Sequence, residues 1–80
     1  MPFKPLPCKR VRCALEKHLG FTEEKSGATS HEKYTAIRKG RKYVVTVDCH
    51  RGEVRALDVD SIIGQAGVSK KDFYRAIDLC

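Results

Sequence analysis

The chain has no tryptophan, one methionine and three prolines, and those prolines, Pro2, Pro5 and Pro7, all fall in the first seven residues. From Cys8 onward nothing of that kind interrupts a helix or strand, and a proline-rich or collagen-like architecture is excluded. No apolar run approaches the roughly 18 residues that a membrane-spanning helix needs, so no membrane partner is expected. Residues 1–13 are basic but have no apolar segment behind them, unlike a secretory signal, and the expectation is a cytoplasmic protein. There is no glycine-rich phosphate loop, no H-x-x-x-H and no Gly-x-Ser-x-Gly. Asp48, Asp58 and Asp60 do not argue for a magnesium site, and no cofactor is expected.

What remains is one small domain, residues 1–80. Sixteen Lys and Arg against ten Asp and Glu leave a net charge of +6, while 41% of the residues are hydrophobic, too many for a disordered chain. The charge is uneven: residues 1–57 carry thirteen basic and six acidic side chains, residues 58–80 three and four. Its densest stretch is Arg38-Lys39-Gly40-Arg41-Lys42, four cations in five residues. Such a cluster draws phosphate backbones and releases their counterions, although charge alone does not separate RNA, DNA and an acidic protein, and a solvated hairpin tip looks the same.

Four cysteines, Cys8, Cys13, Cys49 and Cys80, are spaced unlike a dense disulfide framework and unlike the Cys-x2–4-Cys pairs of structural zinc sites. Reduced thiols, some of them packed as small core residues, are expected, with a zinc module using Cys49 and His50 as the weaker alternative.

Residues 1–7 read as an extended arm. Cys8, Val11, Ala14, Leu15, His18 and Leu19 then recur at helical spacing, opposite Lys9, Arg10, Arg12, Glu16 and Lys17, and Gly20 ends the helix. A short strand over 21–26 and a turn at 27–29 follow. Residues 30–38 alternate, with Tyr34 and Ala36 on one face and His31, Lys33 and Thr35 on the other. Lys39-Gly40 marks a tight turn, and Tyr43 to Val47 is the clearest strand. Asp58 or Asp60 can cap a helix carrying Ile62, Ile63 and Ala66 that stops at Gly67. Ser69-Lys70-Lys71-Asp72 has the pattern of a capping box before a last helix with Phe73, Ala76, Ile77 and Cys80 inside. The expected fold is α+β: a helix, a three-stranded antiparallel sheet, then one or two helices packed on one face, resembling the double-stranded-RNA-binding fold.

On this register the open face of the sheet presents His31. Imidazole is the side chain whose ordinary pKa, about 6.5, gives it both protonation states near neutrality. RNA brings its own nucleophile, the 2′-hydroxyl, so a metal-free ribonuclease needs an acid or base and cations for the phosphorane-like transition state. His31 with Lys33, Arg38 or Arg41 nearby is a minimal version, and Ser30 suits a backbone or phosphate hydrogen bond. On composition and histidine chemistry alone, an exposed strand histidine such as His31 is more often simply a surface histidine. His18 reads as a core or edge residue and His50 as part of a turn.

The ordered set Leu19-Gly20-Phe21, Ser30-His31, Tyr34, Val45-Thr46-Val47 and 61–69 (SIIGQAGVS) resembles the HicA (YcfA-like) family of toxin–antitoxin mRNA interferases over about sixty residues. Thr29 stands where that family has glycine before Ser-His, and Asp48 where it has proline after the third strand. The resemblance implies cleavage of mRNA without a metal, His31 as the catalytic residue with Ser30 as its motif neighbour, and neutralisation by a HicB-type antitoxin covering the histidine. Lys33, Arg38, Lys39, Arg41 and Lys42 are expected to hold substrate phosphates. The rival expectation is a non-catalytic RNA-binding or protein-interaction module of the same fold.

Overall fold

The computed structural model describes residues 4–24 and 31–80, with the backbone alone at His31. Strand β1 (Leu6–Pro7) leads into α1 (Cys8–Cys13), which runs on as a π-helical turn, Ala14–His18. Strands β2 (Thr22–Glu24), β3 (His31–Arg38), β4 (Arg41–His50) and β5 (Glu53–Val54) follow, then α2 (Ala56–Ala66) and α3 (Lys70–Asp78). The described residues are α+β, with three helices and an antiparallel sheet ordered β1-β5-β4-β3-β2.

Among the described residues the sheet therefore has five strands where three were expected. The two additions are short edges. Leu6 pairs with Val54 and Pro7 with Glu53, so part of the extended arm serves as an edge strand, where a missing proline N–H costs nothing. Strand β4 also runs longer than the Tyr43–Val47 core of its apolar pattern. The β3–β4 and β4–β5 turns each have two consecutive residues at positive φ, Lys39-Gly40 (50° and 74°) and Arg51-Gly52 (53° and 79°). That is the type I′ geometry whose twist matches paired strands.

One face of the sheet is packed under the helices. Tyr34, Val45, Val47 and Val54 are fully buried there with Val11, Leu15, Val59, Ile62 and Phe73. Helix α2 begins at Ala56 with Arg55 in the cap position, not at Asp58 or Asp60, and no side chain caps it. The earlier start brings Val59, Ile62, Ile63 and Ala66 into one i, i+3, i+4, i+7 stripe, and all four are buried. The Ser69 hydroxyl accepts from the Asp72 N–H at 3.1 Å, as the capping pattern requires.

The thiols are not reduced. Cys8 is bonded to Cys49 and Cys13 to Cys80, with Cα separations of 6.1 Å in both. Helix α1 lies between the end of β4 and the end of α3, so cysteines 41 and 67 residues apart become neighbours. Sequence spacing carries no trace of that. His18, expected in the core or at its edge, is exposed and borders a groove with Leu19, Val68 and Ala76.

Candidate nucleic-acid interface and proton-transfer site

The pleat of β3 and β4 divides their side chains. Tyr34 and Ala36 of β3 and Val45 and Val47 of β4 point into the core, so Lys33, Thr35, Ile37, Lys42, Val44 and Thr46 line the open face. Position 31 shares the parity of Lys33 and Thr35, and the register pairs it with Asp48. Two residues further along β4, His50 pairs with Glu53.

Asp48 and His50 are in contact: Oδ2 lies 3.0 Å from Nε2. The same Nε2 lies 2.6 Å from Nη2 of Arg55. One ring nitrogen cannot serve both. Accepting from Arg55 requires Nε2 to be unprotonated, while donating to Asp48 requires Nε2–H. Nε2 thus has one neighbour suited to each tautomer of the ring. The imidazole is about half exposed and the carboxylate less so, with side-chain exposures of 45% and 27%.

The cations predicted to hold substrate are split. Lys33 is exposed two residues from position 31. Lys39, Arg41 and Lys42 are exposed at the far hairpin. Since Lys42 pairs with Ile37, six residues from position 31, this group lies roughly 20 Å away at about 3.3 Å per residue. That is too far to touch a reacting phosphate beside His31, and suited to phosphates several nucleotides along a strand. Arg41 also stacks over the Tyr43 ring at 5.5 Å. Arg38 is turned to the helix side: its guanidinium lies over Phe21 (5.3 Å) and Tyr43 (5.1 Å) and donates to the Ala66 carbonyl at 3.0 Å. It braces the end of α2, which its place in the basic run did not suggest. Ser30 lies outside the described residues.

Sequence reasoning missed Asp48, His50 and Arg55 as a group. The signal was the alternation 44, 46, 48, 50, hidden because the apolar pattern of β4 stops at Val47.

Beneath the sheet, Arg12 of α1 grips Glu32 of β3 with both ends of its guanidinium; Nε donates to Oε1 at 2.8 Å and Nη2 to Oε2. The Tyr34 hydroxyl donates to the same Oε1 at 2.8 Å. The Arg12 hydrogen bonds hold the Glu32 carboxyl below its usual range. Burial, then the neighbouring carboxylate, push the Tyr34 phenol well up, so it stays a donor. Tyr34, the aromatic three residues after His31, is thus a core residue tied to the helix layer.

Comparison with protein-family models, with characterised proteins and with solved structures finds no match to this chain.

Proposed function

We propose that the protein is a small basic endoribonuclease of the HicA type, built on a fold resembling the double-stranded-RNA-binding domain and acting on mRNA. The observation that carries the reading is the β3–β4 register. It sets the backbone of His31 opposite Asp48, whose carboxylate reaches His50 beside Arg55. Two histidines, a carboxylate and the cations Lys33 and Arg55 thereby share one end of the sheet. The order α1, β2, β3, β4, α2 supports the fold assignment.

In this mechanism His31 takes the proton of the ribose 2′-hydroxyl as that oxygen attacks the adjacent phosphorus. His50 returns a proton to the departing 5′-oxygen, while Asp48 orients its imidazole. Lys33 and Arg55 offset the charge that builds on the phosphorane. General acid–base catalysis of this kind contributes about 10²–10⁴-fold per group, so turnover is slow. Lys39, Arg41 and Lys42 hold the strand at a distance. The site of action is the cytoplasm, where thiol reductants open disulfides, and the open face is the surface a HicB-type antitoxin would cover. The test is RNA cleavage by purified protein in the presence of chelator, against His31→Ala. Cleavage that persists in the variant, or stops with chelator, removes this mechanism.

A second reading, a non-catalytic RNA-binding module, is favoured by the distance between the basic hairpin and position 31. It expects a steep fall of RNA affinity with salt while the RNA stays intact.

A further inference from the structure

The π-helical turn Ala14–His18 has a consequence outside the sheet. In an α-helix at 3.6 residues per turn, side chains five apart diverge by about 140°. Here the helix widens, closed by a hydrogen bond from the Leu19 N–H to the Ala14 carbonyl at 2.9 Å, and residues five apart return to one side. Such single turns are rare and recur at functional sites. The pair brought together is Cys13 and His18. Helix α3 supplies the third member: its last turn, held by Leu79 N–H to Arg75 carbonyl and Cys80 N–H to Ile77 carbonyl, both 3.1 Å, sets Cys80 against Cys13. The two sulfurs and an imidazole nitrogen all lie within 4.8 Å of one another.

We propose that Cys13, His18 and Cys80 form, once their disulfide is reduced, a binding site for a soft divalent cation, zinc. Two thiolates and one imidazole are a known zinc donor set, one that leaves a fourth position open. Around a tetrahedral ion with Zn–S near 2.3 Å the sulfurs, bonded to each other in the oxidised protein, would separate to about 3.8 Å, with the imidazole nitrogen already within 4.8 Å of both. The chemistry balances with a dithiol as reductant. Two electrons from it convert the Cys13–Cys80 bond to two thiols, the reductant becomes a disulfide, and zinc then displaces both thiol protons. His18 also borders a groove of about 280 Å³ with Leu19, Val68, Asp72 and Arg75, from which water or a small ligand could complete the shell. Disulfide and zinc are alternative clasps between α1 and α3, selected by the redox state. The site belongs to the helix layer, and it stands whether or not the sheet cleaves RNA.

The experiment uses the full chain, oxidised or reduced with a phosphine, and measures zinc bound per chain in competition with a chromophoric chelator. Cobalt substitution reads thiolate ligation through charge-transfer absorption, and circular dichroism reads the fold. Reduced protein should bind one zinc with release of two protons, and oxidised protein none. Cys8→Ser with Cys49→Ser should leave binding intact. His18→Ala, at an exposed position with all four cysteines kept, should weaken it more than the 10–100-fold typical of losing an outer-shell partner. Reduced protein that takes no zinc overturns the proposal. So does His18→Ala that binds as tightly as the parent, or Cys13→Ser with Cys80→Ser that still binds.

Discussion

Arg12 of α1 and Glu32 of β3 form a two-pronged ion pair across the boundary between the helix layer and the sheet. Arg12 also reaches Cys49 Sγ at 3.7 Å, so one guanidinium touches both the core carboxylate and the disulfide that anchors α1. Side-chain exposures of 42% for Arg12 and 19% for Glu32 mean that solvent screens the pair in part.

That pair fixes the direction of an acid dependence. The Arg12 hydrogen bonds hold the Glu32 carboxyl below the usual carboxylate range, so its contribution is present above that range and is lost as pH falls through the lower, folded value. Urea titrations from pH 6 down to pH 3 should show a stability loss that Arg12→Met reduces. The effect should be about 1 kcal/mol or less, because the pair is partly exposed.

Tyr34 predicts the alkaline counterpart. Its phenol is raised above 10.0 by burial and by Glu32, so its share of stability is intact below 10 and falls as pH rises beyond it. Tyr34→Phe should remove that alkaline loss and, with the hydroxyl bond to Glu32 gone, cost about 1 kcal/mol at neutral pH. Unfolding followed at pH 7 and above pH 10 checks both.

Reducing the disulfides should lower the melting temperature steeply. Loops of 41 and 67 residues correspond to about 4 kcal/mol each in the chain-entropy account. At about 4–8 °C per kcal/mol for a domain of this size, loss of one bridge should cost well over 10 °C. Calorimetry of the oxidised parent against Cys8→Ser with Cys49→Ser measures it. The same loss on reducing the parent should be partly recovered by zinc, through Cys13, His18 and Cys80.

Gly67→Ala should destabilise by more than the ~1 kcal/mol usual for a helix-ending glycine. Gly67 has φ +68°, and a Cβ there would lie 2.5 Å from Cε1 of Tyr43. Displacing that ring also disturbs the platform under Arg38 and Arg41. Denaturant midpoints of Gly67→Ala and Gly67→Asn, both below the parent, are the expected result.

If the open face cleaves RNA, its two ends should separate kinetically. Asp48→Asn and His50→Ala should lower kcat by about 10²-fold or more. Lys39→Ala with Lys42→Ala should instead raise KM and flatten the salt dependence of binding by about two phosphate contacts, with kcat little changed. Single-turnover cleavage of a short RNA distinguishes the two effects.

Local pattern was enough for much of the architecture. The amphipathic spacing from Cys8, the Lys39-Gly40 turn, the β-branched run at Val44–Val47 and the Ser69 cap each act over a few residues, and each is visible in order along the chain. The same alternation assigned Lys33 and Thr35 to the open face before any register was known. The start of α2 was misplaced because two aspartates offered better cap chemistry than Arg55, and burial of Val59 outweighed it.

By itself, then, the sequence determined the class of fold, the helix and strand cores, the face on which Lys33 and Thr35 fall and the excess of positive charge, because periodicity and turn chemistry are local. Only the tertiary structure decided which cysteines meet, that the basic hairpin lies far from His31, that Arg38 braces α2, and that Asp48, His50 and Arg55 converge. Each of these depends on how β4 registers against its neighbours and on how α1 lies against β4 and α3. Such contacts are fixed by packing over dozens of residues, which no short window of sequence contains.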